Sequence, residues 1–228
     1  MAGAAFQMLM ATVTPAATVT QTDFDKNDSS LTTYTFTSKT IGAADPSRYV
    51  VVAVGSPANS SNRTISSVTL GGVTMTQVAS SFLSAAGGGA FAETALYILQ
   101  VPVGTTGTVV VTWSGAADRM AIGVFALYNL QSATPTSTPS TSSANPATAS
   151  INVVAGGVVV AATFAFAGGA FTHTWAGLTK NYDQAFVATN LEHSGASAAF
   201  VAAQTGLTVT ATPSTTPSAI AMTVAAFR

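Results

Sequence analysis

The chain has 228 residues, of which seven are Lys or Arg and eight are Asp or Glu, so that only 7% carry a charge. Its net charge is -1, it has no cysteine, and 48% of its residues are hydrophobic. The lack of cysteine excludes a disulfide-stapled mini-domain and a cysteine-ligated metal site. The few basic residues argue against nucleic-acid binding by phosphate neutralisation, and the large apolar fraction argues against intrinsic disorder.

The N-terminal segment has no Lys or Arg ahead of its apolar stretch, so it lacks the basic start of a secretory signal. Its Ala and Met residues favour a helix, but the segment can equally be an extended arm that pairs with a neighbour. We expect residues 1–28 to form such an arm. Its attachment side chains are then Phe6, Met8, Leu9 and Met10.

Short β-strands separated by Gly, Pro, Asn and Ser are predicted beyond this arm. Residues 49–54 form a continuous apolar run, which predicts a strand buried on both faces. Gly71 and Gly72 mark a hairpin between strands over residues 65–70 and 73–79. Further strands are predicted over residues 31–40, 95–101, 108–113 and 121–129.

Residues 131–149 consist almost entirely of Ser, Thr, Pro and Ala, a composition that predicts a long loop. The spacing of the strands on both sides of it is typical of an all-β sandwich. The loop also permits a division into two domains, but each half then has a thin core of small residues. We therefore expect one antiparallel β-sandwich over residues 29–228, without a fixed-period repeat. After the loop, strands are predicted over residues 150–154, 158–166, 185–191, 198–204, 207–211 and 219–227.

Residues 151–171 form an apolar run without charge and are the candidate for a membrane span. The run contains four glycines and clusters of Val, and no Lys or Arg flanks it closely on its N-terminal side. These features favour buried strands. We expect no membrane partner.

An acidic segment opens like a calcium-binding loop, with Asp23, Asp25 and Asn27 at alternate positions. The Gly required at the sixth position is Asp28, and the Glu required at the twelfth is Tyr34, so the EF-hand pattern fails. A looser calcium site is the alternative to a solvated polar turn before a strand. We expect the turn, and we predict no metal or cofactor.

Signatures of catalysis are missing from the sequence. His173 and His193 are the only histidines, and Glu192 adjoins His193, but neighbouring residues of a strand point to opposite faces and do not share a ligand set. There is no nucleophile elbow and no glycine-rich phosphate loop. We expect no enzyme. Glu192 or Asp183 within hydrogen-bond reach of a histidine in a cleft would revive the enzyme hypothesis.

Aromatic residues that can stack on a sugar ring are the remaining candidates for binding. Trp113 ends an apolar strand, which favours a place in the core. Trp175 lies in a polar stretch, where core and surface positions are equally open. We name Trp175 and Tyr182 as candidate contacts for a glycan or receptor.

Several strand motifs follow one another in a characteristic order. They are RYVVVAV from Arg48, the hairpin SVTLGGV around Gly71, ALYILQV from Ala95, GTVVVTW from Gly107 and the closing AIAMTVAAFR from Ala219. Together they resemble the jelly-roll β-sandwich modules of tailed-phage virion proteins and related bacterial surface proteins. The resemblance extends over residues 30–228 and concerns structural motifs, not a catalytic signature.

This resemblance implies a non-enzymatic structural protein of a phage-like virion, synthesised in the host cytoplasm. The protein would be an oligomeric capsid decoration or accessory subunit attached through its N-terminal segment. Its partners would be other virion proteins and copies of itself, commonly three in such subunits, with neither nucleic acid nor membrane. The alternative is a tail or fibre module on the same fold that binds a host receptor or surface glycan.

Overall fold

The structure is a computed structural model that describes residues 14–59, 61–137, 140–187 and 190–228. Within these residues the regular elements are all β-strands, and all the strand pairs are antiparallel. The predicted all-β antiparallel sandwich fold is confirmed. The strands are β1 (Thr18–Asn27), β2 (Leu31–Thr40), β3 (Tyr49–Asn59), β4 (Ile65–Leu70), β5 (Val73–Thr74), β6 (Thr76–Gln77), β7 (Leu83–Gly87), β8 (Ala90–Gln100), β9 (Thr106–Ala117), β10 (Met120–Tyr128), β11 (Ser140–Ser142), β12 (Ala147–Val153), β13 (Val158–Ala167), β14 (His173–Ala176), β15 (Thr179–Ala185), β16 (Leu191–Ala199), β17 (Gln204–Pro213) and β18 (Pro217–Phe227).

The strands form four sheets. Sheet A has the order β1-β10-β3-β8-β6, with β7 also paired to β8, and sheet B has the order β2-β9-β4-β5. Sheet C has the order β11-β18-β13-β16-β15, and sheet D has the order β12-β17-β14. The chain passes back and forth between the paired sheets A and B, and later between C and D. This is a jelly-roll arrangement.

Three apolar interiors stack the sheets in the order B, A, C, D. Large side chains such as Trp113, Tyr34 and Met120 fill the space between B and A. Smaller side chains, mostly Ala and Val, fill the space between C and D. Sheets A and C pack directly on each other, through Phe125 and Phe227 among others. The two sandwiches therefore share a third core, which adds to the core within each sandwich.

The central strands β3 and β13 are buried on both faces because they belong to the two middle layers. Residues 50–54 have no exposed surface, which confirms the buried strand predicted over residues 49–54. All ten residues of β13 are buried as well. Strands β12 and β13 thus account for most of the apolar run over residues 151–171. No helix that is long and apolar enough to cross a bilayer occurs in the described part of the chain.

The two sandwiches repeat one topology. In sheet position, β1, β10, β3, β8 and β7 match β11, β18, β13, β16 and β15, and β2, β9 and β4 match β12, β17 and β14. We call residues 18–128 the first half and residues 140–227 the second half. The two halves keep this strand order without a repeat in the sequence. The division into an arm over residues 1–28 and one domain over residues 29–228 stays a prediction.

Two strands predicted in the second half are misplaced. Strands were expected over residues 185–191 and 198–204, but β16 occupies the region between them. Its Ser, Gly and Ala residues have the composition of a loop, yet most of them are buried. The ring of Tyr182 lies where a side chain at Gly195 would begin. Small residues are therefore needed in this strand.

The expected arm and the expected loop both contain strand residues. The second part of the arm is β1, which pairs with β10 at the edge of sheet A. Within residues 131–149, β11 pairs with β18, and β12 begins at Ala147. Both segments are rich in Thr or Ser, and in residues 131–149 that composition was the reason for expecting a loop. Thr also suits a half-exposed edge strand, and this preference prevails here.

Candidate functional site

A buried polar cluster lies at one end of the second half, between sheets C and D. His173 begins β14 of sheet D, while Asp183 on β15 and Glu192 on β16 belong to sheet C. His173 has no exposed surface and Glu192 is 2% exposed. We call these three residues the acid–histidine cluster.

The imidazole of His173 lies close to both carboxylates. Its Nδ1 is 3.4 Å from Glu192 Oε1 and 4.0 Å from Asp183 Oδ1. Lys180 holds the other oxygen of Asp183, since its Nζ donates to Oδ2 at 2.7 Å and to the His173 carbonyl at 2.9 Å. The His173 amide also donates to Asp183 Oδ2, at 3.3 Å. Asp183 is thus anchored through one oxygen.

Several groups of the cluster are not fully compensated. Asp183 Oδ1 and His173 Nε2 are buried without a hydrogen-bond partner. Burial raises the pKa of Glu192, an effect that its hydrogen bond with His173 opposes and the charge of Asp183 reinforces. Two carboxyl groups and an imidazole in contact can share protons. They can also coordinate a cation, because imidazole nitrogen and carboxylate oxygen are common metal ligands.

The cluster meets only part of the condition set for an enzyme. Glu192 Oε1 lies 3.4 Å from His173 Nδ1, as the enzyme hypothesis required, whereas Asp183 Oδ1 lies at 4.0 Å, beyond hydrogen-bond reach. However, His173 is completely buried, with the ring of Phe171 at 5.4 Å between centroids. A general acid or base has to reach the proton that it transfers. The proximity alone therefore does not overturn the expectation of a non-enzymatic protein.

His193 lies in a different environment from its neighbour Glu192. The alternation of side chains along β16 turns it into the interior between sheets A and C. Its ring occupies the place where a side chain at Gly55 would begin, so that only glycine fits there. Burial lowers the pKa of His193 to about 3. His193 is therefore a neutral packing residue, separate from the acid–histidine cluster.

Tyr182 does not have the exposure that a glycan contact needs. It is 4% exposed, and its ring stacks on Phe24 with centroids 5.4 Å apart and planes inclined by 4°. It also lies against Gly123 of sheet A. We therefore correct its assignment: Tyr182 packs sheet C against sheet A.

Trp175 remains partly exposed on β14. Its Nε1 donates to Ser194 Oγ at 2.8 Å, and its ring packs against the interior between sheets C and D. Its polar group is thus used internally, and only part of the ring surface is free for a ligand. Its role as a contact stays a prediction. The candidate attachment residues Phe6, Met8, Leu9 and Met10 lie outside the described residues.

The acidic segment near the N-terminus is a strand with ion pairs and not a solvated turn. Asp25 Oδ2 and Asp23 Oδ1, both on β1, lie 2.7 and 3.7 Å from the Nζ of Lys39. Asp28 Oδ1 lies 3.7 Å from Arg119 Nε. These carboxylates already have cationic partners. Charged pairs on an edge strand also discourage unwanted pairing with another sheet.

Two buried charges of the first half escaped the sequence analysis. Glu93 has no exposed surface, accepts the Arg63 amide at 2.7 Å and the Ser84 hydroxyl at 3.3 Å, and has its pKa raised to about 7 by burial. Arg48 is also fully buried. A lone charge within or beside an apolar strand is the signal that would have identified both. The guanidinium of Arg48 donates at 2.6 to 2.8 Å to the carbonyls of Gly42, Ala43, Val101, Val103 and Gly104.

Comparisons with known proteins give no family for this chain. No protein-family model matches it, and no curated protein does. Among solved structures, the chain has a similarity to the C-terminal domain of the AgI/II polypeptide BspA of Streptococcus agalactiae. The identity is 9%, the match covers 77% of this chain and 75% of that chain, and the TM-score is 0.19. A likeness this low carries no argument, so the function is argued from the chain's own residues.

Proposed function

We propose that this protein is a non-enzymatic structural subunit of a phage-like virion, either a capsid decoration or an accessory subunit. The proposal rests on where the few charged residues lie and on which of them pair with one another. Arg48, Glu93 and Glu192 are buried, and eight others form ion pairs with one another. The exterior therefore presents mainly Ser, Thr, Ala and Gly.

Such a surface suits close packing in an assembly. With a net charge of -1, copies of the chain repel each other little. Small uncharged side chains also lose little conformational entropy when they are covered. The resemblance of the strand motifs to virion modules adds support, although a fold by itself does not define a function.

An apolar cleft in the first half is the surface we assign to the N-terminal segment of a neighbouring copy. The cleft has a volume of about 320 Å³ and is lined by Leu70, Leu99 and other apolar residues. Val73 and Val103, also in its wall, are 57% and 74% exposed. The apolar attachment side chains named above have the chemistry to fill it.

Measurement of the oligomeric state tests this proposal. We expect the full chain to form a closed oligomer, a trimer, at micromolar concentration by light scattering and sedimentation velocity. Deletion of residues 1–13 should give a monomer with an unchanged circular dichroism spectrum. The deletion stops there because β1 begins at Thr18 and the Pro15 carbonyl accepts from Arg228 at 2.8 Å.

Matched substitutions locate the contact. Val103→Ser should weaken the oligomer, whereas Val201→Ser should not, because Val201 is 92% exposed and belongs to the second half. A full chain that stays monomeric and does not respond to the deletion contradicts the attachment arm.

The virion role needs its own test. An antibody against the chain should detect it in particles banded on a density gradient from the producing culture. Detection only in the soluble fraction, with none in the particles, contradicts the virion assignment.

A further inference from the structure

We infer that the acid–histidine cluster binds one divalent transition-metal ion such as Zn²⁺, and that the ion links sheet D to sheet C. His173 supplies a ligand from β14, Asp183 from β15 and Glu192 from β16. The inference is independent of the virion role and of the oligomeric state.

The separations of the donor atoms fit a metal with little rearrangement. Ligands at 2.0 to 2.2 Å from a tetrahedral ion lie roughly 3.3 to 3.6 Å from each other. The distance from His173 Nδ1 to Glu192 Oε1 is 3.4 Å, within that range, and the distance to Asp183 Oδ1 is 4.0 Å. All three donor atoms lie within 4.8 Å of one another. Asp183 Oδ1 has to move towards the other two donors to close the set.

The polar atoms of the cluster are better satisfied with a cation than without one. Asp183 Oδ1 is buried and has no hydrogen-bond partner, and an uncompensated buried charge is costly. Lys180 does not compensate this oxygen, because its ammonium group binds Oδ2. An ion between the three donors would neutralise Asp183 Oδ1 and Glu192 together.

The first half provides an internal comparison at the matching place. Strand β8 matches β16 in sheet position, and it carries the buried Glu93. There, an amide and a hydroxyl satisfy one carboxylate oxygen, while the other is buried without a hydrogen-bond partner. The jelly-roll topology thus accommodates a buried Glu without the imidazole and second carboxylate that His173 and Asp183 add. One nitrogen and two oxygen donors suit Zn²⁺ better than Ca²⁺, which prefers oxygen ligands.

Metal titration of the full untagged chain tests the inference. The protein is stripped with EDTA, dialysed at pH 7.5 and titrated with Zn²⁺ in a calorimeter. We expect one ion per chain with a dissociation constant on the order of 1 µM or tighter. Free Zn²⁺ at 100 times that constant should raise the melting temperature by about 5 to 11 °C. Co²⁺ should give visible absorption bands typical of a low-coordinate site.

Isosteric variants separate this site from adventitious binding. Glu192→Gln and Asp183→Asn should each weaken Zn²⁺ binding by at least about 10-fold and abolish the Co²⁺ bands. Glu93→Gln is the matched control and should leave both unchanged. His173→Gln should abolish binding, and its circular dichroism spectrum checks that it folds. Wild-type binding weaker than 100 µM, or equal binding by Glu192→Gln, overturns the inference and leaves a cluster that only shares protons.

Discussion

The two halves of this molecule share a strand order and differ in what fills it. The first half packs Trp113, Tyr34 and other large side chains between its sheets. The second half uses mainly Ala and Val in the corresponding interior and places His173, Asp183 and Glu192 at one end. One jelly-roll topology therefore accepts either an apolar interior of large residues or a thinner one with a polar cluster. Topology depends on the alternation of buried positions and on the turns, while the choice of side chains sets local stability and chemistry.

The ends of the two central strands show the same contrast. Arg48 precedes β3, is completely buried and joins two loops through five carbonyls. Gly157 precedes β13, and Arg228, which is partly exposed, lies beside Gly156. Arg228 donates to the carbonyls of Ala155 at 3.1 Å and Pro15 at 2.8 Å. The first half is thus held by an internal charge, and the second by a partly exposed arginine that follows its last strand.

The largest expected effect comes from removing the internal charge. Arg48→Met should lower the free energy of unfolding by about 5 kcal/mol, since each carbonyl left without its donor costs roughly 1 kcal/mol. Arg228→Met should cost less than about 1 kcal/mol, because its contacts are open to water. Urea unfolding followed by circular dichroism measures both. Similar losses for the two variants would contradict the contrast between the halves.

Replacing each of the two tryptophans by alanine compares the two interiors. Trp113 is 1% exposed, so Trp113→Ala should cost about 4 kcal/mol, as expected for a large core residue. Trp175→Ala should cost roughly half of that, because part of its ring already faces water. The same urea curves measure both values. Equal costs would show that Trp175 is as much a core residue as Trp113.

Trp175→Ala also tests the glycan-binding alternative. A glycan array probed with the wild-type chain should give no signal if the protein is only structural. Binding that Trp175→Ala removes, with the fold intact, would favour a receptor-binding module.

Periodicity and composition predicted the fold class and several strands, among them β2 and β4 with their observed bounds. They did not predict two sandwiches, because the two halves share a strand order but not a repeated sequence. The acid–histidine cluster was named only as a condition for an enzyme and was not predicted, for a related reason. His173 and Glu192 are 19 residues apart in the chain, and only the packing of sheet D on sheet C brings them together. Glu192 also fell just outside a predicted strand, because the small residues that follow it resemble a loop.

The two halves can also be compared through the effect of their buried glutamates on the pH dependence of stability. The pKa of Glu93 is about 7 in the folded protein, against 4.5 for a free side chain. Between pH 4.5 and pH 7 the folded state therefore binds more protons than the unfolded state. The contribution of Glu93 to the free energy of unfolding falls as the pH rises through this range and does not change further above about pH 7. The difference of 2.5 pKa units corresponds to about 3 kcal/mol. His193, with its pKa lowered to about 3, acts in the opposite direction below pH 6.5.

The difference between wild type and Glu93→Gln isolates the acid, because both proteins contain His193. From pH 4.5 to 7.5, the stability of Glu93→Gln relative to wild type should increase by about 3 kcal/mol, measured by urea unfolding at several pH values. Parallel pH profiles for the two proteins would mean that Glu93 is ionised in the fold. Glu192→Gln, measured without metal, should change in the same direction, since burial also raises the pKa of Glu192.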